Sequence, residues 1–248
     1  MKKGCLNNLL RNPHGGFDEY VSLGYDSAIV ITPITQKIWI NLKKKCIVSK
    51  GEYCLKHYIW LKFYTNPCRI KITLHLASIL FGQNIRLITY KEAIEAIDNA
   101  SSIIGIDLTT ARLIGVTITG NMWMDQPVCD YLSLTVSRYG RKKDNTFSET
   151  VYINDRKGTK GDIQRVFYNK ILESGLKDIE GNLLRFELRI NRNLHRHLKF
   201  GKDFIILQLS DLGSEMFFRY CVRKWWKELA SCLINTGLPK KFYESSTS

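Results

Sequence analysis

The segment Leu183-Leu-Arg-Phe-Glu-Leu-Arg-Ile190 restricts the fold more than any other stretch, because apolar and charged residues alternate through it. Strand side chains alternate between two faces. As a strand, this segment places Leu184, Phe186, Leu188 and Ile190 on one side and Arg185, Glu187 and Arg189 on the other. A helix would scatter both sets around its circumference. The pattern therefore calls for a sheet with one face sealed by helices and the other face polar.

Other segments supply partners for that strand. Residues 150–154 turn Val151 and Ile153 inward and Tyr152 outward, and within 163–170 Tyr168 and Lys170 share a face. These two read as a hairpin joined by the basic turn 155–161. Residues 103–108 read as a strand continuing toward Ile118, with Asp107 and Thr109 opposite Ile104, Ile106 and Leu108. Upstream, 27–32, 37–42, 57–63 and 69–75 are short and rich in β-branched and aromatic residues, as strands are. Thr89-x-x-Glu92 is a capping box opening a helix with Ala93, Ile94, Ala96 and Ile97 on its apolar face, ending near 99–101. A second helix start lies at Asp125-Gln126-Pro127. The last long helix, about 214–234, carries an apolar stripe of Phe218, Cys221, Trp225 and Leu229. The expected class is α+β, a mostly antiparallel sheet with helices packed on one face. A single domain over 1–248 is expected, with a strand-rich half to residue 100, a catalytic half at 101–212 and a C-terminal helix and tail at 213–248.

Charge narrows the partner. Lys and Arg number 37 against 23 acids, a formal charge of +14. That surplus points to a polyanion, either nucleic acid or an anionic membrane surface. No run of about 18 apolar residues is present to span a membrane. The basic start, Met-Lys-Lys, is followed by no apolar segment of the secretory kind. The seven cysteines are scattered without a Cys-x-x-Cys, as expected of free thiols in a reducing cytoplasm, not of a disulfide framework or zinc site.

The polar face, if these strands are neighbours, gathers two carboxylates, a lysine, two arginines and one or two tyrosines. Phosphodiester transfer by a protein nucleophile needs such an inventory. A phenol is a weak nucleophile until a base or positive charge assists it. Carboxylates can hold a hard divalent cation, and Arg or Lys can hold phosphates. The same inventory also fits a solvated sheet face on which Glu187 serves only as the ion-pair partner of Arg185 and Arg189.

Three motifs occur in order: Gly105-Ile-Asp107-Leu-Thr109, Arg165-Val-Phe-Tyr168-Asn-Lys170-Ile-Leu-Glu173 and Leu184-Arg185-Phe-Glu187-Leu-Arg189. Over roughly residues 71–209, with Leu76-Ala-Ser-Ile-Leu-Phe-Gly82-Gln-Asn84 upstream, the chain resembles rolling-circle replication initiators. The group it looks like is the phage and plasmid gene II/X replication proteins, related to staphylococcal-plasmid initiators. The resemblance implies a nickase/relaxase-like fold and a DNA strand nicking-closing endonuclease. It implies that Tyr168 attacks the DNA, with Tyr152 the second candidate, giving a 5′-phosphotyrosine link and a 3′-OH primer. It implies that Lys170 lies against the phosphate. Asp107 and Glu187, with Glu173 a third carboxylate, would hold Mg2+ or Mn2+. The sequence departs from the wider superfamily, which often uses a His-hydrophobe-His metal pair. Here the only His-x-His is His195-Arg196-His197, after the tyrosine, read as helix surface. Ala111 stands where some members carry a second acid.

Candidate DNA contacts are Arg165, Arg185 and Arg189 on the strands and Arg156, Lys157 and Lys160 in the basic turn. Arg219, Arg223 and Lys227, four residues apart, form a helix stripe, and Arg141 to Lys143 a further basic loop. The alternative function is a non-catalytic DNA-binding protein of the same fold, a repressor or origin-binding factor. An RNA-binding sheet ranks below both, since the RNP1 pattern is missing. No phosphate-cradling Gly-x4-Gly-Lys-Ser/Thr loop occurs, so strand separation is expected to fall to a host helicase or to supercoiling. The partners expected are origin DNA, as duplex and exposed single strand, and a host helicase and polymerase in a bacterial cytoplasm. No membrane is expected, and a homodimer is compatible with the sequence.

Overall fold

The alternating segments do pair into antiparallel sheet, but several neighbours differ from the sequence expectation. The computed structural model describes residues 21–49, 52–56, 58–133, 135, 142–147, 149–156, 159–175, 180–198 and 206–232. The class is α+β, as expected. The chain separates into two compact units, each built from discontinuous segments. One contains Tyr25–Thr117 and Asn191–Phe218; the other contains Ile118–Ile190 and the described residues of 1–24 and 219–248.

In the first unit the strand order is β2-β3-β4-β5-β1, with β1 belonging to it from Tyr25 onward. The strands are β1 (Val21–Pro33), β2 (Ile47–Ser49), β3 (Glu52–Lys56), β4 (Ile59–Tyr64) and β5 (Arg69–His75). One face is apolar because Ile59, Leu61, Ile70, Ile72 and Leu74 alternate toward it and are buried. The expected strand over 37–42 is instead helix α1 (Gln36–Lys45). Thr35 caps it by accepting a hydrogen bond from the Ile38 amide, and Lys43, Lys44 and Lys45 occupy the last turn, where the helix dipole favours cations. Ile38, Ile40 and Leu42 imitate strand alternation, yet only Leu42 is buried and Ile40 is 47% exposed. Trp39 packs against Tyr53 and Phe63, which fixes α1 on the apolar face of the sheet.

Helices α2 (Leu76–Phe81) and α3 (Tyr90–Ile104) follow. The capping box forms, with the Glu92 carboxylate accepting the Thr89 amide at 2.9 Å. Ala93, Ala96, Ile97, Ala100 and Ile104 are the buried stripe. The helix therefore runs past the expected end near 99–101. It stops at Gly105, whose φ of 78° closes the last turn without a Cβ penalty. The expected strand over 103–108 does not form, because its first two residues are the end of α3. The next strand, β6 (Arg112–Met124), begins after Asp107, and its last residues, from Ile118, belong to the second unit. Helix α6 (Leu194–Leu198) carries His195 and His197, and a 3-10 turn spans Leu209–Gly213.

In the second unit the order is β6-β10-β9-β8-β7, with β7 (Lys142–Phe147), β8 (Thr150–Arg156), β9 (Thr159–Asn169) and β10 (Asn182–Ile190). The expected β8–β9 hairpin forms, but pairing continues to Arg156 opposite Thr159, so only 157–158 lie between the strands. The basic segment Lys142–Lys143 is strand, paired with Asn154 and Ile153, and not loop. Helix α4 (Val128–Ser133) begins directly after Pro127, as expected, and α5 (Lys170–Ser174) follows β9.

Helix α7 (Glu215–Cys232) buries Cys221, Trp225, Leu229 and Cys232. Trp225 sits 5.2 Å from the Phe186 ring and donates its indole N–H to the Phe186 carbonyl at 3.1 Å. Phe186 in turn stacks on Phe167 at 4.4 Å. A glycine lets the indole come this close, since a Cβ on Gly120 would stand 2.2 Å from Trp225. Helix α7 thus seals one face of this sheet through Trp225. The polar side chains of β10 point to the other.

Candidate active site

Register fixes which polar residues share that second face. Arg185 lies opposite Tyr168, Glu187 opposite Val166 and Arg189 opposite Gln164. On the next strand Thr150, Tyr152 and Asn154 face Tyr168, Val166 and Gln164. Directly opposed residues in a sheet point the same way. The result is a three-by-three grid with Val166 at its centre and polar groups around it.

Beside Val166, in the row of Thr150 and Arg185, lies a hydrogen-bonded tyrosine. The Tyr168 hydroxyl donates to Glu187 Oε1 at 2.5 Å, while Glu187 Oε2 accepts from Arg189 Nε at 2.8 Å and Nη2 at 2.5 Å. These are charge-assisted contacts, among the stronger hydrogen bonds in proteins. Arg189 also donates to Gln164 at 3.3 Å, and Gln164 to Asn154 at 3.1 Å. Arg185 Nε donates to Asn121 Oδ1 at 2.7 Å. Burial works against the charge on Glu187, but the Arg189 and Arg185 guanidiniums and the Tyr168 hydrogen bond outweigh it, so its carboxyl is held below the usual range. Burial likewise disfavours the Arg189 cation, and the Glu187 carboxylate more than compensates, raising its pKa.

The Tyr168-Asn-Lys170 motif has a local structural cause. Asn169 caps α5 by accepting the amides of Ile171 and Leu172, so the chain turns from strand to helix immediately after Tyr168. That turn brings Lys170 back, with its ammonium 5.9 Å from the centre of the Tyr168 ring. Lys170 is fully buried and paired with Glu173.

The other expected site residues separate into groups. Asp107 belongs to the first unit, in the turn after α3, where its carboxylate accepts the Thr109 amide at 2.9 Å and hydroxyl at 2.7 Å. The Thr109 hydroxyl and then the amide hold its pKa below the ordinary value. It is not a strand residue on the tyrosine's face, because α3 occupies the residues expected to begin that strand. Arg165 also differs from expectation. It lies on the helix-covered face opposite Leu188, 1% exposed, with both Nε and Nη2 2.6 Å from Glu228 Oε2 of α7. Arg185, likewise buried, bonds inside the sheet. Neither is a surface phosphate contact in this arrangement.

Arg189 remains 35% exposed, and Arg219, Arg223 and Lys227 form an exposed row on α7. Arg156 and Lys160 fall at the facing ends of β8 and β9; Lys157 and Arg141 lie outside the described residues. Tyr152 sits on the tyrosine face, part-exposed. The sequence reading missed Asn121 and Gln164. Asn121 was signalled by the alternation of Thr117, Thr119 and Asn121 through an otherwise apolar strand, now seen to be buried.

The carboxylates assigned to a metal fit that role poorly. Both Glu187 oxygens carry hydrogen bonds, Glu173 is paired with Lys170, and Asp107 is bonded by Thr109. Among the described residues, no three His, Cys, Asp or Glu side chains form a cluster that could hold a metal ion. Nor is any described helix long and apolar enough to cross a membrane.

No family model matches the chain, and no curated protein matches it. Among solved structures it is similar to a rolling circle replication initiator protein from Geobacillus stearothermophilus. The identity is 12%, the match covers 72% of this chain and 77% of that one, and the TM-score is 0.41. These values describe a distant likeness.

Proposed function

We propose that this protein is a DNA-nicking replication initiator that cleaves one strand by tyrosine transesterification. The observation that carries the reading is the 2.5 Å hydrogen bond from Tyr168 to a carboxylate locked by Arg189. A phenol needs a proton acceptor at the moment of attack, and Glu187 already holds that proton by a hydrogen bond. Tyr168 Oη attacks phosphorus and its proton passes to Glu187. The P–O3′ bond breaks, and the departing 3′ oxygen takes a proton from solvent. The protein keeps a 5′-phosphotyrosine, so strand closure is the reverse reaction and needs no ATP. Arg189, at the exposed edge of the cluster, is placed to meet the phosphate as charge develops on it. No step is assigned to Mg2+ or Mn2+, because Glu187, the carboxylate beside Tyr168, has both oxygens in hydrogen bonds. Origin DNA is the proposed substrate, with a host helicase and polymerase as the following machinery.

A non-catalytic DNA-binding role has one observation in its favour: Tyr168 is only 6% exposed. Incubation with supercoiled plasmid bearing the origin separates the two readings. Tyr168→Phe removes the nucleophile while keeping the ring, so nicked circles and protein-linked DNA should disappear and origin binding should remain. Adduct formation by Tyr168→Phe would move the nucleophile to Tyr152. No nicking by the unaltered chain would leave the binding role.

A further inference from the structure

The first unit carries a basic and aromatic sheet face that the tyrosine chemistry does not use. In the β4–β5 pair, Lys62 lies directly opposite Lys71, Trp60 opposite Thr73 and Tyr64 opposite Arg69. These residues alternate away from Ile59, Leu61, Ile70, Ile72 and Leu74, the face covered by α1. Lys62 and Arg69 are exposed, and Trp60, Tyr64 and Lys71 are part-exposed. The Arg69 guanidinium stands 5.4 Å from the centre of the Tyr64 ring.

Two features argue that this face meets a ligand. Like charges directly across a strand pair repel. The nearby acid, Glu52 on β3, forms no ion pair with either lysine. The repulsion is relieved if an anion lies between them. The flanking aromatics then select the kind of anion. Rings on an exposed sheet offer flat surfaces to bases, and only unpaired bases have a face free to stack. A duplex would satisfy the lysines and leave Trp60 and Tyr64 unused.

We infer that the β4–β5 face binds single-stranded DNA, with phosphates on Lys62, Lys71 and Arg69 and bases against Trp60 and Tyr64. The inference rests on the DNA reading above but is independent of which residue cuts. On an initiator, such a face would hold exposed single strand and keep it from re-pairing.

The test uses the full chain with Tyr168→Phe, so that nothing is cleaved, and a fluorescein-labelled oligo-dT probe read by anisotropy across a salt series. Each single-strand phosphate contact contributes about 0.7 to the slope of log affinity against log salt. Lys62→Gln with Lys71→Gln should therefore flatten the slope by about 1.4. Trp60→Ala should weaken binding by about five- to 150-fold, the range for one lost base stack. The double lysine variant should melt no lower than its parent, because a repulsion has been removed.

An unchanged slope and affinity would overturn the inference and make this a solvated face. Equal losses on duplex DNA, or tighter binding of oligo-rU than oligo-dT, would overturn the assignment to single-stranded DNA. If Trp60→Ala fails to fold, the lysine pair still decides the question. Persistent nicking by Tyr168→Phe would refute the nucleophile and leave this result standing.

Discussion

Glu228→Gln offers the sharpest test of how the second unit is held together, because it opposes a structural role for Arg165 to the DNA contact expected of it. Glu228 accepts two bonds from Arg165 on Oε2, and Lys224 lies 2.8 Å from Oε1. Arg165 is 1% exposed, so losing its partner strands a cation where water cannot reach it. Lys224 is 20% exposed and can turn toward solvent. Breaking a buried pair from one side costs about 3–5 kcal/mol. At about 2–4 °C per kcal/mol for a chain this long, the melting temperature should fall by roughly 6–20 °C. The glutamine oxygen can still accept one hydrogen bond, which favours the lower part of that range.

The double variant Arg165→Met with Glu228→Leu removes both charges and should recover most of the loss. Acid gives an independent check. Burial opposes the Glu228 charge, but Arg165 and Lys224 outweigh it, so the folded pKa lies below the ordinary 4.5. A depressed carboxylate stabilises the fold fully above its unfolded pKa and loses that contribution as pH falls through the folded one. Melting temperature should thus fall with pH below about 4.5 more steeply in the unaltered chain than in Glu228→Gln. Differential scanning calorimetry measures both effects, and a salt series on origin duplex supplies the contrast. Should Arg165→Met melt normally and flatten the duplex salt slope by about 0.9, the buried-pair argument is refuted and Arg165 is a phosphate contact.

Three further outcomes are expected. Glu187→Gln should bind origin DNA but lose nicking, with activity returning as pH rises and solvent takes over as base; rescue by added Mn2+ instead would make Glu187 a metal ligand. Neutralising Arg219, Arg223 and Lys227 together should flatten the duplex salt slope by roughly two to three units, and an unchanged slope would mean a merely solvated helix face. Gly120→Ala should lower stability by about 1–3 kcal/mol, as overpacking does, since its Cβ would meet Trp225 at 2.2 Å; normal melting would show that the indole is free to shift.

What could be read from the sequence followed the distance over which its cause acts. Alternation in β10, the β8–β9 hairpin and the capping box at Thr89 are local patterns, and each reappears in the fold. Residues 37–42 misled because Ile38, Ile40 and Leu42 alternate like a strand, while the decisive signals were the Thr35 cap and Trp39 meeting Tyr53 and Phe63. Asp107 misleads through a neighbour: Gly105 fits a strand by its apolar flanks, yet it is the left-handed residue that ends a helix.

The polar face shows the deeper limit. Alternation places Arg185, Glu187 and Arg189 together but cannot say whether they meet water, DNA or one another. The answer came from register, which puts Tyr168 opposite Arg185 and within reach of Glu187, and from Asn121, which arrives on another strand. Arg165 carries the same lesson in reverse. Its motif neighbours suggested a phosphate contact, yet odd numbering along β9 turns it to the α7 side, where Glu228, 63 residues away, neutralises it. Tyr168 lies on the opposite face and only three residues further along. A charged residue beside a candidate nucleophile therefore shares its face only when strand parity allows it, and on β9 parity sends Arg165 to the α7 side, away from Tyr168.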